Sequence, residues 1–195
     1  MKKEIRIAGF DDGSFEFGDG RRKKTVPLVG VIYRGGSFID GALRTDVVVD
    51  GMDATDKIIK LVNGSRHKRQ LRVLMFDGIT VGGFNMIDVV RVHERTDLPV
   101  IAINRKMPDI DEVKAALRKF KDYRKRWLAV KHAGEIRKCK LKKGKILYYQ
   151  SIGMDDDDAE DVIDLSCTHG FIPEPLRVAH LIATAIVKGE SAGRA

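Results

Sequence analysis

The chain has 195 residues, 43% of them hydrophobic, enough for one well-buried core, and a single domain over 1–195 is the simplest reading. A formal net charge of +8 and a pI of about 9.5 favour polyanionic partners, because neutralising backbone phosphates releases counterions. No apolar run approaches membrane-spanning length and the N-terminus lacks a signal peptide's apolar core, so no membrane partner and a cytoplasmic location are expected.

Ile5 to Phe10 reads as a first strand, ending at Asp11-Asp12-Gly13. A polar loop from Phe15 to Thr25 then carries Arg21, Arg22, Lys23 and Lys24. Pro27 to Arg34 and Phe38 to Val49 are two Val- and Ile-rich strands, separated by Gly35-Gly36-Ser37 as in a short hairpin. Asp53-Ala54-Thr55-Asp56 has the acids that favour a helix start, followed by an apolar stripe through Ile58, Ile59, Leu61 and Val62 up to Asn63-Gly64. The strand Leu71 to Asp77 stops, like the first, at an acid beside a glycine. Gly82 to Arg95 is predicted to be helical through Phe84, Ile87, Val90 and Val92, and Leu98 to Ile103 to be a strand buried on both faces. A helix over Asp109 to Phe120 follows, then short strands near Trp127 to Val130 and Lys145 to Gln150. The acids Asp155 to Asp158 open a helix, and Pro173 to Val187 gives a last, strongly apolar one. Hairpin strands first, then alternating strand and helix, imply an α/β fold: a mixed sheet with helices on its faces.

Three acidic segments stand where a strand ends or a helix begins: Asp11-Asp12, Asp50 to Asp53, and Asp77. If the strands of Asp11 and Asp77 are neighbours, their carboxylates converge at one edge, where sites gather in sheets of this kind. Converging carboxylates repel, and a hard divalent cation, Mg²⁺ or Mn²⁺, relieves the repulsion. Such a cation polarises a phosphate and activates water. Each Asp-Gly pair is also ordinary turn chemistry, and Asp53 an ordinary cap. The three segments together, beside a basic block, favour a metal site for catalysis in which Asp77 stands with Asp11 or Asp12 and with Asp53 or Asp50. The block runs from Lys114 to Lys145, is opposed only by Asp122 and Glu135, and offers Arg124, Lys125, Arg126 and Lys131 to a phosphate backbone.

Other residues carry two readings. Glu174, between two prolines, either serves the reaction or starts the last helix. Arg177 suits a phosphate or a salt bridge equally. His180, among Val178, Ala179, Leu181 and Ile182, reads as a core histidine, which leaves His169 as the better catalytic candidate. Gly82-Gly83 at a helix start would present amides to a phosphate, although no Walker-type GK[ST] follows. Consecutive acids such as Asp155 to Asp158 cannot all face one ion. Cys139 and Cys167 sit in no CxxC pattern and are expected to be buried, reduced thiols.

Ala8-Gly9-Phe10-Asp11, two hairpin strands, Phe76-Asp77-Gly78 and the strand Leu98 to Asn104 resemble endonuclease V and its ribonuclease-H-like fold. The closer resemblance is to the archaeal endonuclease dU family, carried by Gly9-Phe10-Asp11-Asp12-Gly13, Val49-Asp50-Gly51-Met52-Asp53-Ala54-Thr55, Phe76-Asp77-Gly78 and Pro173-Glu174-Pro175-Leu176-Arg177-Val178-Ala179-His180. The resemblance implies a divalent-metal-dependent endonuclease acting on deoxyuridine-containing DNA. It makes Asp11 the strand-one ligand and Asp77 the aspartate of the central strand. Asp53 is the acid nearest to the glutamate of endonuclease V, and His169 or Glu174 stands for its late histidine. The tyrosine-proline wedge of endonuclease V has no counterpart between Asp50 and Asp56, and its basic run after the central aspartate is replaced by Ile79 to Phe84. Two other readings are a non-catalytic nucleic-acid-binding protein of the same fold and an actin-like nucleotide phosphohydrolase. The last needs paired Gly-rich phosphate hairpins, of which Gly35-Gly36-Ser37 is a faint version.

Overall fold

The computed structural model describes residues 4–13 and 25–191, so the polar loop after Phe15, with its four basic residues, lies outside the described residues. The elements run β1 (Arg6–Asp12), β2 (Thr25–Arg34), β3 (Phe38–Val48), α1 (Ala54–Asn63), β4 (Leu71–Asp77), β5 (Thr80–Val81), β6 (Asn85–Met86), α2 (Val89–Thr96), β7 (Val100–Asn104), α3 (Ile110–Leu117), α4 (Tyr123–His132), β8 (Arg137–Lys140), β9 (Ile146–Ile152), α5 (Asp156–Ser166) and α6 (Glu174–Lys188). A seven-stranded mixed sheet in the order β3-β2-β1-β4-β7-β9-β8 forms the centre. β1, β4 and β7 are parallel; β2, β3, β8 and β9 join antiparallel.

Period-two alternation distributes the strands' side chains between two cores. Ala8, Phe10, Leu74 and Phe76 pack with Ile58 and Val62 of α1 and Val92 of α2. Ile7, Val73, Met75, Ile101 and Ile103 pack on the other face with Val162 and Ile163 of α5 and Leu176 of α6. Helices therefore cover both faces, as expected. Arg6 and Arg34 both bind Asp40, at 2.6 and 2.7 Å, and tie the start of β1 to the β2–β3 hairpin. Cys139 and Cys167 are buried and free; burial pushes their thiols up to about 11 and about 12, which keeps them inert. No helix among the described residues is long and apolar enough to cross a membrane.

Two expected elements differ. The stretch 80–86 is not helical: it forms the small hairpin of β5 and β6, with Gly82 and Gly83 at positive φ in its turn. The helix begins only at Val89, where Asp88 accepts a hydrogen bond from the Arg91 N–H and caps it. Trp127 to Val130 is part of α4 rather than a strand. Its apolar positions follow a helical period, with Tyr123, Trp127 and Val130 packed beside Leu117 and Met86, and Arg137–Lys140 takes the place next to β9 instead.

Candidate active site

The sheet brings two carboxylates together. Phe10 of β1 is in register with Phe76 of β4, so the next residues, Asp11 and Asp77, end adjacent parallel strands. Phe10 and Phe76 point into the core of α1 and α2, and alternation turns Asp11 and Asp77 to the opposite face, that of α6. There His180 Nδ1 lies 3.0 Å from Asp11 Oδ2, and an Arg105 Nη lies 3.3 Å from Asp77 Oδ2. Asp11 is 7% exposed. Burial raises the Asp77 carboxyl above the ordinary carboxylate range, the charge of Asp11 raises it further, and Arg105 and His180 oppose the rise. The hydrogen bond to Asp11 raises the His180 imidazole against its burial, leaving Nε2 as the ring's other polar atom. Asp12, one residue on, turns to the other face and accepts a 2.7 Å hydrogen bond from the Gly82 N–H. Its carboxyl is pushed up to about 6 by burial and then by Asp11.

Close approach of α6 to β1 makes this arrangement possible. A Cβ on Gly9 would stand 2.5 Å from Pro175 Cβ and 2.6 Å from its carbonyl carbon, and one on Gly13 would stand 2.6 Å from the Ala183 carbonyl oxygen. Gly9→Ala forces the start of α6 outward against backbone atoms. It is expected to lower stability by about 1–3 kcal/mol and to slow any reaction that uses His180. Thermal melts and single-turnover rates check both.

The other predicted site residues make contacts of their own, and the segment of Asp53 is joined to Asp12 through Gly82, whose carbonyl accepts from the Asp50 N–H. Asp53 Oδ1 accepts from the Val48 N–H at 3.1 Å and from Asn85 Nδ2 at 2.6 Å, which ties the start of α1 to the β5–β6 hairpin. Glu174 is fully buried and held by Arg177, with Nη2 at 2.6 Å from Oε2. It acts on Tyr33, which faces Ile7, and lies roughly 9 Å of helix rise below His180. His169, 73% exposed, is 3.6 Å from Glu174, and its neighbour Thr168 donates to Gly36 in the β2–β3 turn. His169, Glu174 and Arg177 thus gather at the opposite end of β1 from the carboxylates. The turn Gly35-Gly36-Ser37 shares that end, so it offers the acids no phosphate-binding hairpin.

Arg126 is not an exposed phosphate contact. It is 3% exposed, pairs with Asp122 at 2.7 Å, donates to the carbonyls of Asp50, Gly51 and Phe84 and lies 4.2 Å over the Phe120 ring. Arg124, Lys125 and Lys131 are exposed on the same helix.

Two residues escaped the sequence reading. His180 sits in an apolar run that looks like core, and only the crossing of α6 over β1 shows its partner. Arg105 carried a usable signal: it directly follows a buried parallel strand and so shares the edge of Asp77.

The profile of the endonuclease dU family matches residues 3–187. The chain belongs to the endonuclease dU family. A UPF0215 protein of Methanothermobacter thermautotrophicus is 48% identical over 196 residues, covering 100% of this chain and 94% of that protein. One from Pyrococcus horikoshii is 47% identical over 192 residues, covering 98% and 96%. Among solved structures, a protein of unknown function from Archaeoglobus fulgidus superimposes with a TM-score of 0.84 at 37% identity, covering 95% of this chain and 100% of that one. Endonuclease V of Ciona intestinalis, crystallised with a 24mer DNA containing an inosine followed by a ribo-adenosine, superimposes with a TM-score of 0.61 at 15% identity, covering 96% and 87%. The chain therefore has the fold of endonuclease V, as the resemblance implied.

The donor set suits a hard cation. A buried carboxylate, Asp11, and a half-buried one, Asp77, which repel each other, can hold Mg²⁺ or Mn²⁺ whose remaining positions take water and phosphate oxygens. Among the described residues no group of three or more His, Cys, Asp or Glu side chains is arranged to enclose an ion, so this is not an all-protein cage.

Proposed function

We propose that the protein is a divalent-metal-dependent endonuclease that cleaves a phosphodiester in DNA beside a deaminated base, deoxyuridine first among them, in DNA repair. The observation that carries this reading is the convergence of Asp11 and Asp77 on one face of the sheet edge, with burial and mutual repulsion raising Asp77. The ion would be Mg²⁺ or Mn²⁺ held by Asp11 and Asp77, and it would supply charge stabilisation at the phosphate and activation of water. His180, oriented by Asp11, would hold or deliver a proton at Nε2 to the reacting oxygens. Arg105 would exchange Asp77 for a phosphate oxygen once the carboxylate is engaged. Arg124, Lys125 and Lys131, exposed along α4, would follow the backbone. Family membership and the endonuclease V fold support a nuclease, and the net charge of +8 supports a polyanionic substrate.

The test is cleavage of labelled oligonucleotides carrying one uracil, one hypoxanthine or no lesion, with Mg²⁺, Mn²⁺ or EDTA. Nicking beside uracil that needs the metal is expected. Binding of all three without nicking under any condition would make this a nucleic-acid-binding protein of the same fold.

A further inference from the structure

We infer that the cavity next to Asp77 reads the imide edge of an unstacked base through Gln150, and so separates uracil from cytosine. The inference rests on the deaminated-base reading above and assigns its discrimination to a residue.

The cavity, of about 230 Å³, has Asp77 and Gly78 at its rim and Ile79, Phe84, Val113 and Val130 among its walls. It is smaller than the roughly 300–1,000 Å³ of a drug-sized ligand site and suits a single flat ring. Asn104 and Gln150 add carboxamides to its lining. Both lie on the face away from His180: Ile103 and Tyr149 point to the core of α5, so their neighbours Asn104 and Gln150 point the other way. Base cavity and carboxylates therefore lie on opposite faces of the same strand ends. A nucleotide whose phosphate reaches Asp77 can send its base across that edge once the base is out of the stack.

Gln150 is an oriented reader. It is 5% exposed, and its Nε2 donates to the Gly134 carbonyl at 2.8 Å. A carbonyl can be met only by the amide's NH₂, so this bond fixes which end of the group is nitrogen. Oε1 is left as an acceptor without a partner among the described residues. Deamination changes what such an acceptor meets. Cytosine presents a lone pair at N3, and uracil presents N3–H. The same change at N1 separates adenine from hypoxanthine. A fixed acceptor at a nearly dry wall accepts from the deaminated base and faces a second lone pair in the parent base. Asn104, whose side chain makes no hydrogen bond among the described residues, can donate to the carbonyl that replaces the amine. Thymine shares the imide, so Gln150 does not separate uracil from thymine.

The experiment is fluorescence anisotropy in EDTA, where binding is read without turnover, using oligonucleotides with one central uracil, cytosine, thymine or N3-methyluracil. The wild-type protein is expected to bind uracil about tenfold more tightly than cytosine. Gln150→Leu, with melting curves to verify folding, is expected to bring the two within about threefold and to leave the uracil-to-thymine ratio unchanged. A folded Gln150→Leu protein that keeps the full uracil-over-cytosine preference overturns the role of Gln150. A wild-type protein without that preference overturns the deaminated-base reading itself. Should the variant not fold, N3-methyluracil removes the donor from the ligand instead: lost binding by the wild type supports the inference, and binding equal to uracil overturns it.

Discussion

Replacing Asp77 by asparagine is expected to reduce single-turnover cleavage of a uracil-containing oligonucleotide by about 10³-fold or more while leaving binding intact. Asparagine keeps the shape of the side chain and removes one of the two charges that would hold the proposed metal ion. The fold should not suffer. Burial and Asp11 raise the Asp77 carboxyl, so its charge is less favourable in the folded protein than in the unfolded chain. Removing the charge relieves a repulsion. The metal-free Asp77→Asn protein should therefore melt no lower than the wild type near pH 7. Its affinity for the oligonucleotide should stay the same or rise, since one negative charge beside the phosphate is gone. A variant that cuts at the parental rate would show that the chemistry is elsewhere.

Arg126→Met is expected to act in the opposite way, on stability rather than on binding. The substitution leaves the carbonyls of Asp50, Gly51 and Phe84 and the carboxylate of Asp122 without the cation that joins them. Removing a buried donor from the carbonyls that accept from it costs about 1–3 kcal/mol, and here it also frees the loop after β3 from the β5–β6 hairpin. Arg124→Ala and Lys125→Ala, on the exposed side of the same helix, should change stability by less than about 0.5 kcal/mol. Each should weaken oligonucleotide binding and lower the salt slope by about 0.9 for every phosphate that is no longer neutralised. Melting curves with salt-titrated binding on the three variants separate the two roles. An Arg126→Met protein that melts like the wild type and loses affinity would return Arg126 to the phosphate-binding set.

The contrast within α4 shows where sequence reasoning worked and where it stopped. Strand ends were legible because an apolar run closed by Asp and Gly has one simple reading, and parallel neighbours then bring Asp11 and Asp77 together. The basic block was legible as charge, whereas its one buried member was not: Arg126 looks like Arg124 and Lys125 until the carbonyls it serves, from segments remote in sequence, are in place. His180 was hidden for the same reason. Its partner Asp11 is 169 residues away, and an apolar run gives no sign that one of its members faces a strand end. Gly82 to Met86 misled because apolar residues at helical spacing also fit a short hairpin when two glycines supply positive φ. His169 and Glu174 were reasonable by their place before the last helix, but α6 packs along β1 from Gly9, beside Pro175, to Gly13, beside Ala183, so its start lies further back along the strand than the acids.

Whether an ion binds, and through which carboxylates, decides whether the strand ends form the proposed active site. The decisive measurement is Mn²⁺ binding, followed through the electron paramagnetic resonance of the free ion, in the presence of a non-cleavable uracil-containing oligonucleotide, for the wild type, Asp77→Asn and Asp53→Asn. Binding that is lost in Asp77→Asn and retained in Asp53→Asn is the result expected from the convergence of Asp11 and Asp77. Wild-type binding by Asp77→Asn together with loss in Asp53→Asn would contradict it.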